Sequence, residues 1–70
     1  MAITREDLVS EVREIIGRVL GVPTEDLVDD KPLTEEEERE VILRAINGGR
    51  GINLYEGNQT VGGLLNQLRP

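Results

Sequence analysis

The chain has 70 residues, and its eight Lys and Arg side chains stand against 14 Asp and Glu, for a formal net charge of −6 at pH 7. Hydrophobic residues make up 37%, Tyr55 is the one aromatic side chain, and cysteine and histidine are absent. These facts fit one small domain with a thin aliphatic core, and they exclude disulfides, thiol nucleophiles and imidazole bases.

A field of this sign repels phosphate backbones and anionic bilayers and favours a basic protein partner. No apolar run reaches the roughly 20 residues needed to span a membrane. The opening residues, Met1 to Asp7, lack the basic region and continuous apolar core of a signal peptide. The expectation is a single cytoplasmic domain over residues 1–70 that binds neither nucleic acid nor membrane.

Thr4 followed by Asp7 has the spacing of a capping box at the start of a helix. Leu8, Val12, Ile15, Ile16, Val19 and Leu20 then recur at intervals of three and four, with Arg5, Glu11, Glu14 and Arg18 on the other side. That pattern predicts an amphipathic helix of about four turns. Gly21 can end it and Pro23 discourages its continuation. Residues 22–34 read as a loop in which Thr24 to Leu27 form a single turn. Some of Leu27, Val28 and Leu33 tether this loop to the core, while Asp29, Asp30 and Lys31 form its wet crest.

Thr34 and Glu37 form a complete capping box, and the acidic run lies at the positive end of the helix dipole. Val41, Ile42, Ala45 and Ile46 are the expected buried face of this second helix, Glu40 and Arg44 pair at a spacing of four, and Gly48-Gly49 stops it. Residues 50–59 read as an extended loop pinned by Ile52 and Leu54. Tyr55 is expected to cap the aliphatic core, the alternative being an exposed contact residue. Thr60 then caps a last helix carrying Val61, Leu64, Leu65 and Leu68. Gly62 and Gly63 weaken that helix by about 1 kcal/mol each relative to alanine. The fold class is all-α, a small bundle of three to four helices.

The conspicuous local feature is the cluster Asp29, Asp30, Glu35, Glu36, Glu37, Glu38 and Glu40. It reads either as a solvated helix start or as a docking face for a basic partner. A calcium loop is ruled out because the alternating acid ladder with its glycine and distal glutamate is missing. Gly57 to Gly63 lacks the lysine and hydroxyl of a nucleotide loop. The hydroxyls of Thr4, Ser10, Thr24, Thr34, Tyr55 and Thr60 have no histidine to activate them. No catalytic, cofactor-binding or metal-binding residue is assigned, and an enzyme is not expected.

Residues 8–27 (LVSEVREIIGRVLGVPTEDL) resemble the opening of acyl carrier proteins and peptidyl carrier domains. There, too, a first helix ends near Leu-Gly-Val and a short turn with an apolar anchor follows. Residues 60–68 (TVGGLLNQL) are similar to the final helix of that family, and Ile52 and Leu54 fall near the apolar residue before its short third helix. In the family an Asp-Ser-Leu motif opens the second long helix, and its serine carries phosphopantetheine. Here Leu33-Thr34-Glu35-Glu36-Glu37-Glu38 stands in that place, with Glu35 or Glu36 at the serine position. A carboxylate does not accept the arm by the family's chemistry.

The resemblance therefore implies a non-carrying, acyl-carrier-like docking module with no cofactor. Its partner would be the basic surface of an enzyme or synthase making polyketides, fatty acids or nonribosomal peptides. The electrostatic face is expected at Glu35, Glu36, Glu37, Glu38 and Glu40, with Leu33, Val41 and Leu54 as apolar contacts beside it. Two alternatives are a genuine carrier attached at Thr34 or Ser10, and a small structural subunit of a larger enzyme.

Overall fold

The computed structural model describes residues 3–69; Met1, Ala2 and Pro70, which the expected domain and the signal-peptide reading include, lie outside the described residues. Helix α1 spans Arg5–Leu20. The Thr4 hydroxyl accepts the Asp7 N–H at 3.2 Å, and the Asp7 carboxylate accepts the Thr4 N–H at 3.3 Å. Two orphan donors of the first turn are thereby satisfied, with aspartate in the place where glutamate is usual. Gly21 ends the helix in the left-handed region at φ 71°, its N–H returning to the Gly17 carbonyl. Leu8, Val12 and Ile16 form the buried stripe. Beyond it the 3₁₀ turn Thr24–Asp26 delivers Leu27 to the core, while Val28 stays exposed.

Helix α2 spans Glu35–Asn47 and opens on the predicted box: the Thr34 hydroxyl accepts the Glu37 N–H at 3.1 Å, and Glu37 accepts the Thr34 N–H at 2.9 Å. Its inward stripe is Glu38, Val41 and Ala45, with Ile42 packed partly against the core. Ile46, expected on the buried face, is instead exposed. Glu38 holds the centre of the inward arc, so the arc is rotated and Ile46 falls beyond its edge.

No helix forms over residues 50–59. Ile52 and Leu54 are buried there, and the extended backbone turns alternate side chains outward. Tyr55 therefore faces water, 73% exposed, and does not cap the core. Helix α3 is short, Val61–Leu65, with the Thr60 hydroxyl accepting the Gly63 N–H at its start. Residues 29–33 run antiparallel beside 59–62. Leu33 N–H donates to the Gln59 carbonyl at 2.8 Å, Val61 N–H to Lys31 at 3.0 Å, and Gly62 N–H to Asp29 at 2.7 Å. This pairing fixes the loop before α2 to the entrance of α3.

The architecture is a small all-α domain of three helices, with α1 packed on both α2 and α3. Val12, Ile16, Val41, Val61, Leu64 and Leu68 lie at its fully buried centre. Three residues expected as apolar partner contacts belong to this core: Leu33, Val41 and Leu54 are 6%, 0% and 4% exposed. With no Phe or Trp in the chain, the interior recruits every well-placed branched aliphatic from helices and loops alike. These three are thus not available at the surface of the folded domain.

Candidate protein-docking face

The five glutamates at the start of α2 occupy different environments. Glu37 is spent on the helix cap. Glu38, expected on the docking face, is 3% exposed and turned into the domain. Its carboxylate accepts three successive backbone N–H groups, from Gly57 at 2.9 Å, Asn58 at 3.0 Å and Gln59 at 3.1 Å. Gly57 at φ 105° and Gln59 at φ 62° take the left-handed region, which a non-glycine residue such as Gln59 adopts only at a cost. The convergent amides form an anion-binding nest filled by the chain's own carboxylate. Glu38 is thus a structural clamp between α2 and the loop that feeds α3.

Burial of Glu38 pushes its carboxyl up, but the N–H bonds from Gly57, Gln59 and Asn58 together outweigh burial and hold it below the usual glutamate value of 4.5. The folded state therefore binds this proton more weakly than the unfolded state. The clamp's stabilisation is complete above the usual value and is lost as pH falls through the lowered one. Urea unfolding followed between about pH 7 and about pH 3 should show wild-type stability declining in the acid range, with a flatter decline in Glu38→Gln. Equal acid slopes in the two proteins would remove Glu38 as the source.

Glu35, Glu36 and Glu40 remain on the outer side. Arg39 bridges Glu35 at 3.1 Å and Glu56 at 2.9 Å, and Arg44 meets Glu40 at 2.9 Å. The hydrogen bond to Glu56, followed by the charges of Glu35 and Glu56, raises the Arg39 pKa further. Glu36 has no ion-pair or hydrogen-bond partner among the described residues. Five carboxylates against two guanidiniums leave α2 with three net negative charges. A shallow cleft of about 400 Å³ lies beside this end of the helix, lined by Leu33, Glu35, Glu38, Glu56, Gly57 and Gln59. Two outward residues were not anticipated in this role. Leu43 and Ile46 are 55% and 49% exposed and follow Glu36 and Glu40 along the solvent side of α2. Helical spacing carried the signal, since Leu43 lies opposite the arc centred on Glu38, Val41 and Ala45.

The arrangement offers no serine where α2 begins. The Thr34 hydroxyl accepts the capping N–H, and Ser10 stands exposed in the middle of α1. Among the described residues no group of three or more acidic side chains is placed to hold a metal ion, and no helix is long and apolar enough to cross a membrane. Comparison with protein-family models, with curated proteins and with solved structures finds no match to this chain.

Proposed function

We propose that the chain is a non-carrying, acyl-carrier-like docking module that presents α2 to the basic surface of a biosynthetic enzyme or synthase. Polyketide, fatty-acid and nonribosomal peptide assembly are the settings that the sequence resemblance suggests. The observation that carries the reading is the outward set of exposed Glu35 and Glu36 and partly exposed Glu40 at the start of a helix that has no serine there. The internal partners of Glu35 and Glu40 are surface arginines, and such pairs contribute little to stability. A partner's lysines or arginines can therefore replace Arg39 and Arg44 at small cost. Attraction of this kind steers the encounter and weakens as salt is added.

The test begins with the intact mass of the protein purified from its native source. The bare polypeptide mass supports a docking role, and an added phosphopantetheine would overturn the non-carrying reading and transfer attention to Thr34 and Ser10. The triple variant Glu35→Lys/Glu36→Lys/Glu40→Lys should then lose at least about tenfold of its affinity for the enzyme captured at low salt. Circular dichroism should show the helices retained. Unchanged binding at low salt would exclude this face.

A further inference from the structure

We infer that Leu43 and Ile46 form the apolar anchor of the α2 face, and that the occupant is an amphipathic helical segment of a basic partner protein. This rests on the docking role of α2 proposed above and adds to it the residues and the geometry of engagement. Leu43 and Ile46 are about half exposed, three residues apart on one side of α2. They lie about one to three turns beyond Glu36 and Glu40. The solvent side of the helix thus carries Glu36 and Glu40 toward its start, with exposed Arg39 beside them, and Leu43 and Ile46 toward its end. An isolated exposed Leu is ordinary, but two adjacent ones on a short helix whose inner face is already filled make a continuous strip.

Charge selects the occupant. The cations along α2 are already engaged, Arg39 by Glu35 and Glu56 and Arg44 by Glu40. Arg50, just past the helix, is paired with Glu11. Glu36 is left without a cation, on a chain of net charge −6. A second copy packed α2 against α2 would bring two acidic faces together, and that face supplies no free cation for Glu36, since Lys31 and Arg18, which pair with no acid among the described residues, lie off α2. A helix with Leu or Ile over Leu43 and Ile46, and Lys or Arg toward the start of α2, satisfies both halves of the strip. Apolar residues at intervals of three and four on that segment match the spacing of the pair.

The probe is a synthetic helical peptide of about 18 residues with leucine at that spacing and lysine elsewhere, beside a control of equal charge in which serine replaces leucine. Titration of the isotope-labelled protein in about 0.15 M salt should move the backbone amides of residues 36–47. The leucine peptide should bind at least about tenfold more tightly than the control, and Leu43→Ser/Ile46→Ser should erase that difference. Both positions are exposed, so this variant should keep its helices. If it binds the leucine peptide as wild type does while Glu36→Lys/Glu40→Lys does not, the apolar anchor is wrong and the acidic docking reading survives. If neither variant alters binding, both readings fail. Sedimentation of the wild type as a dimer that Leu43→Ser/Ile46→Ser dissociates would assign the strip to a second copy and overturn the inference.

Discussion

Glu38→Ala is expected to remove about 3–5 kcal/mol of stability, close to the whole of what a domain of this size possesses. The substitution deletes a buried carboxylate and strands three backbone donors, on Gly57, Asn58 and Gln59, that have no other acceptor among the described residues. Each stranded donor costs about 1–3 kcal/mol, and the total is moderated because this loop lies near the surface and water can reach part of it. Glu38→Gln should cost about 2 kcal/mol. Its amide retains one acceptor oxygen but turns an NH₂ group toward a donor that needs an acceptor. The expected order of stability is wild type, then Gln, then Ala, read by urea unfolding monitored through helical circular dichroism. Losses below about 1 kcal/mol for the alanine variant would mean that the clamp does not hold the loop in solution.

The size of this effect follows from what the clamp replaces. Residues 50–59 make no helix, and Ile52 and Leu54 supply their main apolar anchorage. Side-chain amides fix the next residue: Gln67 accepts the Tyr55 N–H at 2.7 Å and donates to the Tyr55 carbonyl at 3.0 Å, and Asn58 donates to that carbonyl at 2.8 Å. Glu38 completes the series by holding residues 57–59. The stretch is thus built from side-chain to backbone bonds in place of a helical ladder. Losing one multi-dentate acceptor releases several residues together.

Local rules made the two long helices legible. Both capping boxes, the glycine stop at Gly21 and the stripe of Leu8, Val12 and Ile16 depend on residues within a few positions of each other. Glu38 was hidden because its donors lie 19 to 21 residues downstream in a segment without periodicity. Its place beside Val41 and Ala45 pointed inward, yet a run of glutamates at a helix start is explained equally well by the dipole. Tyr55 was recoverable: Ile52 and Leu54 alternate inward, which sends Asn53 and Tyr55 outward. The preference for burying the lone aromatic overrode that simple parity. Of the expected docking residues, Glu35, Glu36 and Glu40 reach the surface, while Leu33, Val41 and Leu54 fill a core that composition had already shown to be short of bulk.

Gly62→Ala and Gly63→Ala should each destabilise the domain by about 1–2 kcal/mol, although intrinsic helix propensity favours alanine by about 1 kcal/mol at each site. A Cβ on Gly62 would stand 2.9 Å from both the Cβ and the carbonyl oxygen of Asp29. The nearby Gly62 N–H to Asp29 hydrogen bond is 2.7 Å long, so separating the chains to relieve the clash stretches it. A Cβ on Gly63 would meet the Asn58 Cβ at 2.8 Å and its carbonyl at 3.2 Å, in the segment that Glu38 clamps. The obstacles are mainly backbone and Cβ atoms, which cannot rotate away, so the overpacking cost exceeds the propensity gain. Gly48→Ala is the control. Gly48 has the ordinary helical φ of −67°, and its nearest obstacle is the Ala45 carbonyl oxygen at 3.3 Å, a milder approach than at the other two sites, so alanine there should cost clearly less than at Gly62 or Gly63. Urea unfolding of the three variants separates the two accounts. Stabilisation at all three sites would make the glycines a tolerated weakness of α3, whereas clearly larger losses at Gly62 and Gly63 than at Gly48 show that α3 is short and glycine-rich because two loops pass against its first turn.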